Sequence, residues 1–162
     1  MKKTIVTALA VLTLFSCKNE TEKPAENSKT EIAKFSPEVE ENAVIYEVNI
    51  RQYSPEGTFN AFTKDIPQLK ELGVKIIWVM PIFPISQTKR KATGGDDSKF
   101  ASEMPKEEQH KYLGSYYAVS DFKKVNPEFG TIEDFRNLVK KAHENAMYVI
   151  LEWVPNHTGW DH

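Results

Sequence analysis

Gly73-Val74-Lys75-Ile76-Ile77-Trp78-Val79-Met80-Pro81 is the stretch on which the fold turns. It is a short, nearly continuous apolar run with a helix-stopping glycine on one side and a proline on the other. Strands buried on both faces in a parallel sheet read this way, whereas a half-solvated antiparallel strand would alternate. Before it, Phe59, Phe62, Ile66, Leu69 and Leu72 recur at intervals of three and four and predict one buried helix face ending at Gly73, with Pro67 inside expected to kink the helix. Earlier still, Val44 to Ile50 is β-rich and is closed by the turn former Ser54-Pro55-Glu56-Gly57.

On the other side, Pro81 to Gly130 is long and irregular, with a polar, charged segment from Gln87 to Lys111 that contains the turn Gly94-Gly95-Asp96-Asp97. A loop of this length inside a compact domain is usually functional or disordered. Thr131 then caps a second helix, with Glu133 and Asp134 in its first turn and an apolar stripe of Ile132, Phe135, Leu138, Val139 and Ala142. Met147 to Val154 reads as a third strand. Strand, helix, strand, loop, helix, strand implies parallel strands joined by crossovers, hence an α/β fold. A site in such a fold lies beyond the carboxyl ends of the strands. Tyr53, the loop after Met80 and the segment after Val154 are therefore expected on one rim.

Bulk properties narrow the function less than the pattern does. The 162 residues are 40% hydrophobic and 27% charged, too polar for a multi-span membrane protein, and the net charge of -2 supplies no basic field for nucleic acid. The single cysteine, Cys17, excludes an intramolecular disulfide and a cysteine-built zinc site. Lys2 and Lys3, the apolar run Ile5 to Phe15, and Ser16 form the layout of a secretory signal, too short to span a bilayer comfortably. Leu14-Phe15-Ser16-Cys17 resembles a bacterial lipobox, which implies cleavage after residue 16, acylation of Cys17 and a secreted protein lipid-anchored to a bacterial membrane. Residues 17–42 are then expected to form a flexible tether, since they hold almost no large apolar residue. A solvated helix around Glu38 to Glu41 is the alternative there.

Four segments after Asn42 carry a resemblance. They are Gly73 to Pro84 around the second strand, Gly114-Ser115-Tyr116-Tyr117-Ala118-Val119-Ser120-Asp121-Phe122, Asn126-Pro127-Glu128-Phe129-Gly130-Thr131, and Val154-Pro155-Asn156-His157. In order and spacing they resemble the α-amylase superfamily, glycoside hydrolase family 13. The resemblance implies that residues 43–162 form the first three or so units of a TIM-type (β/α)8 barrel acting on α-glucans such as starch or maltodextrin by a retaining mechanism. It also implies that Tyr117 stacks under a sugar ring, that His157 donates to a hydroxyl of the same ring, and that Asn156 is the family's calcium-ligand position. Read without the motif, these three are a core tyrosine, a structural histidine and a turn former.

The family's two catalytic aspartates and its glutamate follow the third strand, so the resemblance places no catalytic residue within this chain. A barrel of this kind takes about 250 residues. The chain is accordingly expected to be the truncated opening of a longer protein, unstable and inactive alone. A non-catalytic surface glucan-binding or ancillary protein of the same fold is the alternative. Two positions depart from the pattern. Glu152 stands where the family has an orienting Asp, and Ala146 stands where it prefers Gly. If the backbone at Ala146 is left-handed, Ala costs about 1 kcal/mol or more there, unless Asn145 absorbs the turn. The segment from Gln87 to Lys111 is longer than in many relatives and is expected to act as a lid or as an added substrate contact.

Overall fold

The computed structural model describes residues 35–162 apart from 94 and 97. The signal sequence, Cys17 and the first part of the tether lie outside the described residues, as do two members of the Gly94–Asp97 turn. In chain order the regular elements are α1 (Pro37–Asn42), β1 (Val44–Val48), α2 (Ile50–Tyr53), α3 (Phe59–Glu71), β2 (Val74–Val79), α4 (Ile132–Glu144) and β3 (Tyr148–Leu151), with two 3-10 turns at Ala101–Glu103 and Gln109–Lys111. No helix among the described residues is long and apolar enough to cross a membrane.

The three strands form one parallel sheet in the order β1-β2-β3. Register sets Tyr46 beside Ile77 and Val48 beside Val79. It also sets Ile77 beside Val149 and Val79 beside Leu151. These side chains point to one face and join the core made with α3 and α4, where Phe59, Phe62, Ile66, Ile77, Val79, Leu138 and Ala142 have no accessible surface. The two helices are also joined at their starts. Thr131 caps α4 reciprocally with Asp134, and the other oxygen of that carboxylate accepts from Asn60 of α3 at 2.8 Å. The hydrogen bonds from Thr131, with that from Asn60, hold the Asp134 carboxyl below the ordinary carboxylate range.

Several expectations need correction. On the face of β2 away from α3 and α4 Ile76 is buried, while Trp78 is 39% exposed and its row neighbour Ile150 and the edge residue Ile45 are also exposed. Ile77 and Val79 face α3 and α4 on the opposite side. Leu72 is 68% exposed, because the helix has already ended there and Gly73 turns away with a φ of +83°. Ile132, at the first position of α4, is exposed for the corresponding reason at the other end. The first strand stops at Val48, and Ile50 begins the single helical turn of α2. A helix also stands at Pro37–Asn42, in the segment whose composition reads as a tether, and it coincides with the solvated-helix alternative. Ser36 caps it, and the preceding Phe35 meets Tyr148 edge-on at 4.7 Å.

The turn before β3 falls on Ala146, whose φ is +57°, while Asn145 keeps a φ of -99° and donates from Nδ2 to the Lys141 carbonyl. An L-residue with a Cβ is strained in this region by about 1–2 kcal/mol, and glycine loses more chain entropy on folding, which offsets part of the gain. Ala146→Gly is therefore expected to stabilise the fold by about 0.5–1 kcal/mol. Chemical denaturation checks this, and a destabilised variant refutes it.

Candidate functional site

The residues after β2 do not drift. Ser86 donates its N–H to the Ala118 carbonyl at 2.8 Å, Ser120 to Pro84 at 2.9 Å and Asn126 to Ile82 at 2.7 Å, so the outgoing and returning arms of the loop pair. Ile85 and Val119 form an antiparallel bridge within this pairing, and both are buried. The turn from Ser115 to Ala118 presents Tyr117 at the carboxyl end of the sheet. It is closed by the Ala118 N–H on the Ser115 carbonyl, with the Tyr117 N–H on the Ser115 hydroxyl. The polar segment after Gln87 folds into its own short pairing, with Ala92 bonded to Lys99, Ala101 to Arg90, and Ala92 and Ala101 buried.

After β3 the chain continues the ladder, the Glu152 N–H donating to the Val79 carbonyl. It then runs past Asn156 and His157 to Gly159, whose N–H donates to Val119 at 2.7 Å. The rim loops are also stitched by aromatic contacts, Phe83 to Phe122 at 5.2 Å and Phe122 to Trp153 at 6.3 Å. The result is a cleft of about 490 Å³ whose walls include Tyr117, His157, Trp160, Phe100 and Lys89. A second cleft, of about 470 Å³, lies against Arg51, Gln52, Tyr116 and again Tyr117. Tyr117 thus stands between two concavities. Two residues read from the sequence, Tyr117 and His157, are brought to one cleft.

Burial first, and then the neighbouring Glu152 carboxylate, raise the Tyr117 hydroxyl above its ordinary pKa, so it stays protonated at neutral pH and can donate. Tyr53, in contrast, does not line either cleft. The turn of α2 directs it at α3, where its ring meets Phe62 edge-on at 4.8 Å and its hydroxyl donates to Asp65 at 2.8 Å. Burial and that carboxylate push its pKa up to about 12.

Asn156 is exposed, and its Oδ1 lies 2.6 Å from Nδ1 of His157. That contact orients the imidazole. Among the described residues no group of three His, Cys, Asp or Glu side chains converges.

Three contributors were not singled out from the sequence. Arg51 is largely buried and donates from Nη1 to the Gly114 carbonyl at 3.2 Å, with Glu128 at 3.6 Å and the Phe129 ring at 5.9 Å. It fixes the root of the tyrosine turn, and desolvation lowers its pKa despite Glu128. Asp161 accepts at Oδ2 from the N–H groups of Gln87 and Thr88, at 2.8 and 3.1 Å, joining the loop after β3 to the start of the inserted segment. Trp160 stands beside it. Their position directly after His157, at a strand's carboxyl end, was the available signal.

Parallel strands, helices on one face and a polar, aromatic cleft at the carboxyl rim define a β/α-barrel type of domain with its ligand site in the usual place for that class. The chain belongs to the alpha-amylase catalytic-domain family, whose model matches residues 19–162. It is 32% identical over 126 residues to Alpha-amylase 3 of Dictyoglomus thermophilum, covering 75% of this chain and 20% of that protein. To Alpha-amylase SusG of Bacteroides thetaiotaomicron it is 34% identical over 106 residues, 65% of this chain and 12% of that one. The crystal structure of an alpha-amylase from Lactobacillus plantarum superposes with a TM-score of 0.60 at 39% identity, covering 74% of this chain and 24% of that one. The described fold is thus the N-terminal part of a (β/α)8 barrel, and the chain spans about a quarter or less of the length of these relatives.

Proposed function

We propose that this chain forms the sugar-binding floor of a glycosidase acting on α-glucans, in a protein secreted and held at a bacterial membrane through acylated Cys17. The observation that carries the glucan reading is that Tyr117 and His157, from loops following different strands, line one cleft. The flat ring of Tyr117 suits the apolar C–H face of a pyranose, and the His157 imidazole, whose Nδ1–H donates to Asn156 Oδ1, presents Nε2 as an acceptor for a ring hydroxyl. None of Tyr117, His157 and Glu152 is assigned the part of nucleophile or proton donor.

Hydrolysis with retention needs two carboxyl groups about 5 Å apart across the glycosidic bond. These are proposed to lie outside the residues described. The anchor rests on the Lys2 to Cys17 pattern. Metabolic labelling with palmitate that persists in Cys17→Ser would refute it.

Maltohexaose titration tests the cleft. Tyr117→Ala and His157→Ala are each expected to weaken binding about tenfold, the scale of one lost stacking or hydrogen-bonding partner. Tyr117→Phe should retain most of the affinity, since it keeps the ring. Unchanged affinity in both alanine variants refutes the site.

A further inference from the structure

Trp160 and Lys89 are not used by the reading above, yet both line the same cleft as Tyr117 and His157. Trp160 is 73% exposed, and the Lys89 ammonium lies 3.6 Å from the centre of its ring. The geometry is also held in place. Lys89 adopts a left-handed φ of +52°, a conformation costly for a residue with a Cβ. Its two predecessors are fixed by Asp161, whose Oδ2 accepts from the N–H groups of Gln87 and Thr88. Gly159, on the other side of the indole, is bonded to Val119. The ring is thus clamped from both of its chain neighbours.

Among the described residues Lys89 has no carboxylate partner, so its ammonium can donate to a ligand hydroxyl. We propose that the Trp160–Lys89 pair is a second sugar platform, binding a glucosyl ring further along the chain than the ring held by Tyr117 and His157. The indole supplies a stacking face and Lys89 a donor. Asp161 is a positioning residue, acting through the backbone of the inserted segment. The segment from Gln87 to Lys111 is on this view a specificity element whose first residues select for oligosaccharide over monosaccharide. This inference rests on the glucan reading.

NMR titration of the full chain with methyl α-D-glucoside and with maltohexaose separates the two. Trp160→Ala is expected to weaken maltohexaose about five- to tenfold and to leave methyl α-D-glucoside within about twofold. Trp160→Phe should restore most of the loss, and Lys89→Met should reproduce part of it. Asp161→Ala should weaken maltohexaose and shift the amide resonances of Gln87 and Thr88. Maltohexaose binding indifferent to Trp160→Ala, or equal weakening of both ligands, overturns the platform and leaves the glucan reading standing. Failure of the parent chain to bind either sugar overturns both.

Discussion

Replacing Phe59 by alanine is expected to cost about 3–5 kcal/mol, a large part of the roughly 5–15 kcal/mol that holds a domain together. Phe59 opens α3, has no accessible surface, and meets Phe129 at 5.9 Å and Phe135 at 5.4 Å. Its N–H donates to the Phe129 carbonyl. One ring therefore joins α3, the end of the long loop and α4. The control is Leu72→Ala. The same three-and-four spacing that marks Phe59 marks Leu72, but Leu72 is 68% exposed and its truncation is expected to stay within about 0.5 kcal/mol. Thermal or urea unfolding of the two variants checks both numbers. Equal losses would mean that Leu72 is covered in solution, and a loss below about 1 kcal/mol for Phe59→Ala would mean that the three elements are not joined through it.

The contrast between these two residues also shows what the sequence carried. Periodicity located the helices and strands because apolar spacing is what packing requires, and the capping chemistry of Thr131 with Asp134 was legible as a local pattern. It failed at element ends, where Leu72 and Ile132 continue the spacing after or before the helix has a neighbour to bury them against. At the site, Tyr117 and His157 were found because they lie within motifs. Arg51, Trp160 and Asp161 were not, because their roles come from contacts across long separations. Asp161 reaches amides more than seventy positions earlier in the chain. Tyr53 was misplaced for a smaller reason: a single turn of helix at Ile50–Tyr53, in place of continued strand, directs it to Asp65 and leaves the rim to Arg51 and Gln52.

The second large effect is expected at Gly159, a residue that touches no ligand in the proposed scheme. A Cβ added there would lie 2.3 Å from the Ser86 Cβ, 2.9 Å from the Ala118 carbonyl oxygen and 3.0 Å from the Ser86 hydroxyl. Ser86 is buried at 1% exposure and held through its N–H by Ala118, so neither obstacle is the free end of a flexible chain. In Gly159→Ala the loop after β3 must lift away from the outgoing and returning arms of the long loop. Lifting breaks the 2.7 Å bond from Gly159 to Val119 and draws Asp161 off the Gln87 and Thr88 amides. His157 and Trp160 move with it, while Tyr117 stays on its own turn, so the two halves of the cleft separate. Overpacking of this kind costs about 1–3 kcal/mol in stability. Glucan affinity is expected to fall more than tenfold, since misplacing a binding group by about 1 Å forfeits most of its contribution. Adding Ser86→Gly removes the two contacts made by the Ser86 side chain but not the one to the Ala118 carbonyl, so the double variant should recover only part of both losses, a non-additivity that a double-mutant cycle measures. Gly159→Ala binding maltohexaose as the parent does would mean that the loop after β3 does not shape the cleft.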